Sequence, residues 1–176
     1  MTTYIALLRA INVSGKNIIK MADLKQMFER MGLARVQTYI QSGNVLFQST
    51  EEAAPLRQRI EAEIQSVFGL TVTVILRTEA ALAQVVARCP FAVDEGLYVS
   101  FLAEAPAAAG IEKLMEYPFE TEECRVLGEE VYLLYRVRVS DSKVTNSLLE
   151  KRLGVPSTAR NWRTISKLLE LARAIS

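Results

Sequence analysis

Histidine is missing altogether from the 176 residues. Its absence removes the commonest general base, the usual nitrogen ligand for metals and any Ser-His or Cys-His nucleophile system. No metal site and no cofactor are therefore expected. Cysteine is scarce: Cys89 and Cys124 stand alone, without CxxC spacing. They read as small buried thiols rather than as a disulfide. No apolar run approaches the length of a membrane span, and no basic-then-apolar signal segment opens the chain. The expectation is a bacterial-type cytoplasmic protein with no membrane partner. Paired carboxylates such as Glu51-Glu52, Glu122-Glu123 and Glu129-Glu130 are adjacent, so their side chains diverge and read as solvated faces. No catalytic constellation emerges, and the reading leans away from an enzyme. Low-complexity segments are also lacking; Ala105–Ala109 comes nearest.

What remains has the profile of a globular protein, 50% hydrophobic and 23% charged. The length allows one domain or two small ones. Net charge is +1 but uneven. Residues 136–176 hold nine basic against three acidic side chains, a balance of +6, and the rest of the chain carries −5. A basic end of this kind meets an anionic partner or forms solvated helix faces balanced by the acidic half.

Periodicity orders the first half as strand, helix, strand, strand, helix, strand. Thr3–Arg9 is apolar at consecutive positions, the mark of a strand covered on both faces. Met21, Leu24, Phe28 and Met31 make a helical stripe closed by Gly32, and Val36–Ile40 and Val45–Gln48 flank a turn centred on Ser42-Gly43-Asn44. A helix with Pro55 in its first turn runs to Gly69, and Val72–Arg77 is the fourth strand. After a helix capped by Thr78, the order repeats less cleanly. Leu97–Ala103, Arg125–Leu127, Val131–Val137 and Ser157–Arg160 read as strands, and a helix near Val144–Leu153 is capped by Asp141 or Ser142. Asn161 caps a last helix. The fold class is α+β: two ferredoxin-like βαββαβ halves, the second degenerate, with a C-terminal helix. Expected bounds are 1–77, a linking helix and loop at 78–96, and 97–176. Both sheets are apolar on both faces, which predicts a large apolar contact between the halves or, failing that, between two chains; a homodimer is left open.

Right-handed crossovers make strands one and two parallel, with strand three hairpinned between them. It follows that the loop Ala10–Lys20 and the turn Gln41–Asn44 lie at the same end of the sheet. The first loop, Ala10-Ile-Asn-Val-Ser-Gly-Lys-Asn17, is a near miss for G-x-x-x-x-G-K-[ST]. Ala10 replaces the first glycine, Asn17 replaces the magnesium-binding hydroxyl, and the helix starts three or four residues late. A nucleoside triphosphatase is rejected. Two readings stay open: a softer cradle in which Ser14, Gly15, Lys16 and Asn17 hold a phosphate or carboxylate, or a polar loop whose Asn12 and Asn17 bond its own backbone. Gln41, Ser42, Gly43 and Asn44 join as the neighbouring turn.

Near the end, Arg160, Asn161 and Arg163 surround the one tryptophan, Trp162, with Lys143 and Asn146 in the preceding helix. Arginine forks grip carboxylate or phosphate, but a helix cap with a packed tryptophan and solvated arginines fits as well. Val45-Leu46-Phe47 lacks the basic start and most of the aromatics of an RNA-recognition strand, so nucleic-acid binding through the sheet is not favoured.

The runs Tyr4–Asn17, Thr38–Val45, Thr158–Trp162 and Lys167–Leu171 resemble the bacterial family called domain of unknown function 1697, over nearly the whole chain. That family has glycine where Ala10 and Ser14 stand here, and Ser-Lys-Leu where this chain has Ser142-Lys143-Val144. The exchanges should make the first loop less free to take positive φ. The resemblance implies two ferredoxin-like halves and no established activity. The functional expectation is a small anionic or phosphate-bearing ligand bound by Asn12, Ser14, Gly15, Lys16, Asn17, Gln41, Ser42, Gly43 and Asn44. Arg160, Asn161 and Arg163 would complete that site if the second half folds back to it. Alternatives are RNA or DNA at the basic C-terminal region, and a protein-interaction module without ligand.

Overall fold

A computed structural model describes residues 1–176. The chain divides into two compact units, residues 1–84 with 167–176 and residues 85–166. The dividing points fall inside two helices, α3 and α6, given below.

The first unit runs β1 (Thr2–Leu8), α1 (Met21–Arg30), β2 (Ala34–Tyr39), β3 (Asn44–Ser49), α2 (Ala53–Phe68), β4 (Val74–Thr78) and the start of α3 (Glu79–Ala87). Its strands form one antiparallel sheet in the order β2-β3-β1-β4. β3 thus lies between β1 and β2, as the crossover argument requires. Every residue of β1 after Thr2 is buried, which is what its unbroken apolar run predicts. On one face Tyr4, Ala6, Leu8 and Phe47 pack under Leu24, Met27 and Phe28 of α1 and Leu56, Ile60 and Ile64 of α2. Phe47 stacks on Tyr4 at 5.6 Å and meets Phe28 edge-on at 5.4 Å. Burial of each such side chain contributes about 1.5–3 kcal/mol. On the other face Ile5, Leu7, Leu46 and Ile75 are buried too. With both faces dry, the sheet is no base-stacking platform.

β2 starts two residues earlier than its pattern indicates. Arg35 takes φ +50° and the pairing with β3 shifts register between Ala34 and Gln37, so a bulge hides the alternation there.

The second unit holds the end of α3, then β5 (Leu97–Leu102), α4 (Ala108–Met115), β6 (Glu122–Leu127), β7 (Glu130–Tyr135), a 3₁₀ turn at Val139–Asp141, α5 (Asn146–Leu153), β8 (Ser157–Asn161) and the start of α6 (Trp162–Ile175). Its sheet, β6-β7-β5-β8, repeats the antiparallel order of the first. The second copy lacks no element; its α4 and α5 have eight residues each, against ten and sixteen for α1 and α2. Leu102, Leu133 and Tyr135 pack with Leu114, Leu149 and Leu153 on the helix side, while Val99, Phe101 and Tyr132 are buried on the other.

Helix ends follow the expected chemistry with one correction. Thr78 caps α3 through the Ala81 amide at 3.1 Å, and Asn161 caps α6 through the Thr164 amide at 2.8 Å. The cap of α5 is Thr145, whose hydroxyl accepts from Leu148 N at 3.2 Å, and not Asp141 or Ser142. Those two belong to and follow the 3₁₀ turn, which ends one stretch of chain before the helix starts. Both thiols are free; Cys89 is half-buried and Cys124 buried, and burial pushes the Cys124 thiol up to about 12. No helix is long and apolar enough to cross a membrane.

Candidate functional site

β1 ends at Leu8, and the chain then has to reach α1 at Met21. Its first steps stay tied to the sheet: Leu8 N donates to Gly43 O at 2.9 Å and Arg9 N to Thr73 O at 3.0 Å. The remainder folds into a miniature hairpin. Asn12 N donates to Asn17 O at 3.1 Å and Lys16 N to Val13 O at 2.9 Å, with Ser14 at φ +53° and Gly15 at φ +72° in the two-residue tip. Two positive φ values in succession are the signature of the tight hairpin turn that follows strand twist. Ile11 and Ile19, at the two ends of this arm, are buried in the core of the unit, while Ser14, Gly15, Lys16 and Asn17 are exposed.

One side chain binds the arm to the β2–β3 turn. The Asn12 carboxamide donates to Gln41 O at 2.8 Å and to Ile19 O at 3.0 Å, and its oxygen accepts from Ile19 N at 2.8 Å. The expected juxtaposition of the first loop with the second turn is therefore present in atomic detail. Gly43 closes the contact. A Cβ there would come within 2.7 Å of Ile11 Cδ1 and 3.0 Å of Leu8 Cβ, and its φ is +88°. Only glycine fits both the space and the backbone.

The same bonds decide which expected ligand groups remain outward. Asn17 Nδ2 donates to Ala10 O at 3.0 Å. Asn44 is buried, its amide donating to Tyr39 O and to Ser42 Oγ, both at 2.9 Å. Asn12, Asn17 and Asn44 are thus spent on the backbone, as the second reading of the loop has it. Ser14, Lys16 and Gln41 stand exposed and Ser42 half-buried.

The loop takes positive φ despite its side chains. Ala10 sits at +55° and Ser14 at +53°, besides Asn12 and Asn17. The substitutions against the family's glycines therefore leave the left-handed backbone in place, contrary to the expectation of a less free loop. They add strain, of order 1–2 kcal/mol for a residue with a Cβ.

Arg160, Asn161 and Arg163 belong to the second unit. Arg160, on β8, is 6% exposed, and its Nη1 donates to Thr158 Oγ1 at 2.7 Å and Ala159 O at 2.9 Å. Burial lowers its pKa to about 10, which leaves it charged at neutral pH. It is neither solvated nor open to a ligand from water. Asn161 is occupied by the α6 cap, Trp162 is buried and Arg163 is exposed. Arg77 occupies the matching place in the first unit. It stands opposite Ile5 on β1 as Arg160 stands opposite Val99 on β5, is also buried, and donates to Leu76 O at 3.0 Å. Asn146 is structural as well: its amide donates to Ser157 O at 2.8 Å and its oxygen accepts from Ser157 Oγ at 2.6 Å.

One polar cluster escaped the sequence reading. Glu122 and Glu123 both look like solvated acids, yet only Glu123 is, paired with Arg136 at the surface. Glu122 is 9% exposed, and its Oε2 accepts from Ser142 Oγ at 2.6 Å and Thr121 Oγ1 at 2.7 Å. The signal available was position: on an edge strand, adjacent residues point to opposite faces, so one of any acidic pair turns inward. Burial pushes this carboxyl up, but the Ser142 hydroxyl and then the Thr121 hydroxyl and backbone outweigh it, and the net direction is down.

Two outcomes follow. Ala10→Gly and Ser14→Gly each relieve left-handed strain and should raise stability by about 0.5–1 kcal/mol in urea unfolding, whereas unchanged or lower stability contradicts the strain. A carboxyl held below its usual range stabilises the fold above that range and loses the contribution as pH falls. Ser142→Ala should therefore cost about 1–2 kcal/mol at pH 7, and the gap to wild type should narrow as acid protonates Glu122, leaving the part due to the Val144 amide that donates to Ser142 Oγ. A gap independent of pH would contradict the charge-assisted bond.

No curated protein matches the sequence. Among solved structures, the fold is similar to that of the conserved bacterial protein SP0830 from Streptococcus pneumoniae, with TM-score 0.74 and 23% identity over 97% of this chain and 98% of that one. Residues 1–132 match the family model described as Protein of unknown function (DUF1697), and the chain belongs to that family.

Proposed function

We propose that the first unit binds a small anionic, phosphate-bearing ligand at the rim formed by the hairpin arm and the β2–β3 turn. The groups that would meet it are Lys16, the Ser14 hydroxyl, the Gly15 amide and the Gln41 side chain. Asn12, Asn17, Gly43 and Asn44 act as the frame. The observation that carries this reading is the Asn12 carboxamide, which bonds Gln41 O and Ile19 O at 2.8 and 3.0 Å and so ties the arm that carries an exposed lysine to the turn that carries an exposed glutamine. A preorganised polar rim loses little entropy on binding. Arg160 stays out of the proposed contact set, since its guanidinium is buried and bonded along its own strand. That burial also removes the centre of the basic C-terminal cluster from a nucleic-acid reading.

The antiparallel order β2-β3-β1-β4 in a βαββαβ chain, repeated in β6-β7-β5-β8, supports taking each unit as ferredoxin-like. The two free thiols support a reducing, cytoplasmic setting.

The test is thermal unfolding with a panel of phosphorylated metabolites and inorganic phosphate, run on wild type and Lys16→Ala together. A ligand at a hundredfold its Kd stabilises the fold by about 2.7 kcal/mol. The reading expects at least one compound that raises the melting temperature of wild type and not that of Lys16→Ala; a panel in which no compound separates the two proteins overturns it.

A further inference from the structure

We infer that the second unit carries a separate cavity for a nucleoside monophosphate, at the end of its sheet where β5 begins and β7 ends. The cavity holds about 410 Å³ and is lined by Asp94, Glu95, Tyr98, Tyr135, Arg136 and Arg138, with Gly96, Val137 and Val139. Its volume falls within the range of small-molecule sites.

Each wall offers a different part of such a ligand its partner. The apolar wall is a tyrosine pair in edge-to-face contact, ring centroids 5.4 Å apart at 85°. Tyr135 is fixed: its hydroxyl donates to Val144 O at 2.8 Å and its amide to Gly96 O at 2.8 Å. Tyr98 is only half-buried, so part of its ring is open to stack on a base. The cationic wall is Arg136 and Arg138, whose side chains are 62% and 85% exposed. They pair with Glu123 and Asp141 at the surface, bonds weak enough for a phosphate to exchange. A guanidinium fork fits phosphate bidentately, and two forks suit a terminal dianion better than a diester.

The third wall is acidic. Asp94 accepts from Gly96 N at 2.9 Å through Oδ1, which shapes the turn into β5 and leaves Oδ2 for a ligand donor. Glu95 is exposed beside it. Carboxylates here repel a simple anion but accept from ribose hydroxyls or an exocyclic amine. A ring, a phosphate and hydrogen-bond donors in one small molecule answer all three walls; inorganic phosphate answers one.

The 176-residue protein is titrated calorimetrically with adenosine 5′-monophosphate, with adenosine and inorganic phosphate as separate arms. The monophosphate should bind, each fragment should bind at least about tenfold more weakly, and Arg138→Ala should weaken the monophosphate by about tenfold or more. Arg138 is exposed enough for that variant to fold. Tyr98→Leu should weaken the monophosphate and adenosine alike, and Tyr98→Phe should change neither. Loss of monophosphate binding in Lys16→Ala would put the ligand at the rim of the first unit and overturn the assignment to this cavity. No binding at millimolar monophosphate overturns the inference, as does equal affinity in Arg138→Ala. A short single-stranded RNA that binds tighter than the monophosphate, with affinity falling steeply in salt, would instead make the occupant a polymer and overturn the assignment.

Discussion

The Asn12 carboxamide is the interaction on which the architecture of the first unit's rim depends. Its two donated bonds and one accepted bond link a loop that follows β1 to a turn almost thirty residues later. Few side chains could replace it. An aspartate at neutral pH accepts but does not donate, a serine has one donor and less reach, and an apolar residue leaves Ile19 N and Gln41 O without this partner. Once the clasp is made, the rest is determined locally. Ile11 seats against Gly43, Ile19 returns the chain to the core, and the segment between them has room only for a two-residue tip. The exposed chemistry of that tip, Lys16 above all, is placed by a half-buried carboxamide and by the buried Ile11, Ile19 and Gly43.

The rim is bought with backbone strain. Ala10 and Ser14 keep left-handed conformations at a cost that glycine would not incur, and the Asn12 and Asn17 bonds offset it. A comparable economy runs through both units. Each ends its fourth strand with a buried arginine, Arg77 or Arg160, directly followed by the residue that caps the next helix, Thr78 or Asn161. Each arginine donates to the carbonyl of the residue before it and stands opposite the matching residue of the unit's first strand. The repetition extends past element order to register and capping, which is stronger support for internal duplication than any similarity visible between the two halves of the sequence.

Much of this was readable from the chain and some was not, for definite reasons. Strand and helix order followed from periodicity, because burial has a direction that alternating or 3.6-residue patterns record. The meeting of the Ala10–Lys20 loop with the Gln41–Asn44 turn followed from handedness alone. What periodicity does not record is the identity of a hydrogen-bond partner. Asn12 and Asn17 could equally have faced a ligand or the backbone, and only coordinates distinguish the two. Arg160 was read as a ligand fork or a solvated charge because an arginine in a polar run carries no mark of burial; its place on the inner face of β8 comes from pairing with Val99, sixty-one positions away. Glu122 was concealed the same way, by a neighbour of the same charge facing water. Thr145, the true cap of α5, is passed over for Asp141 or Ser142 because those two end a short 3₁₀ turn just before it, and such a turn leaves no periodic trace.

Amide hydrogen exchange on the intact protein tests the clasp most directly. The account predicts that the amides of Asn12, Lys16 and Ile19 are protected to the same order as Leu8, whose amide bonds Gly43 O at the sheet end. If Leu8 is protected while those three exchange at the rate of an unfolded chain, the arm is not held to the turn and the rim does not exist as described.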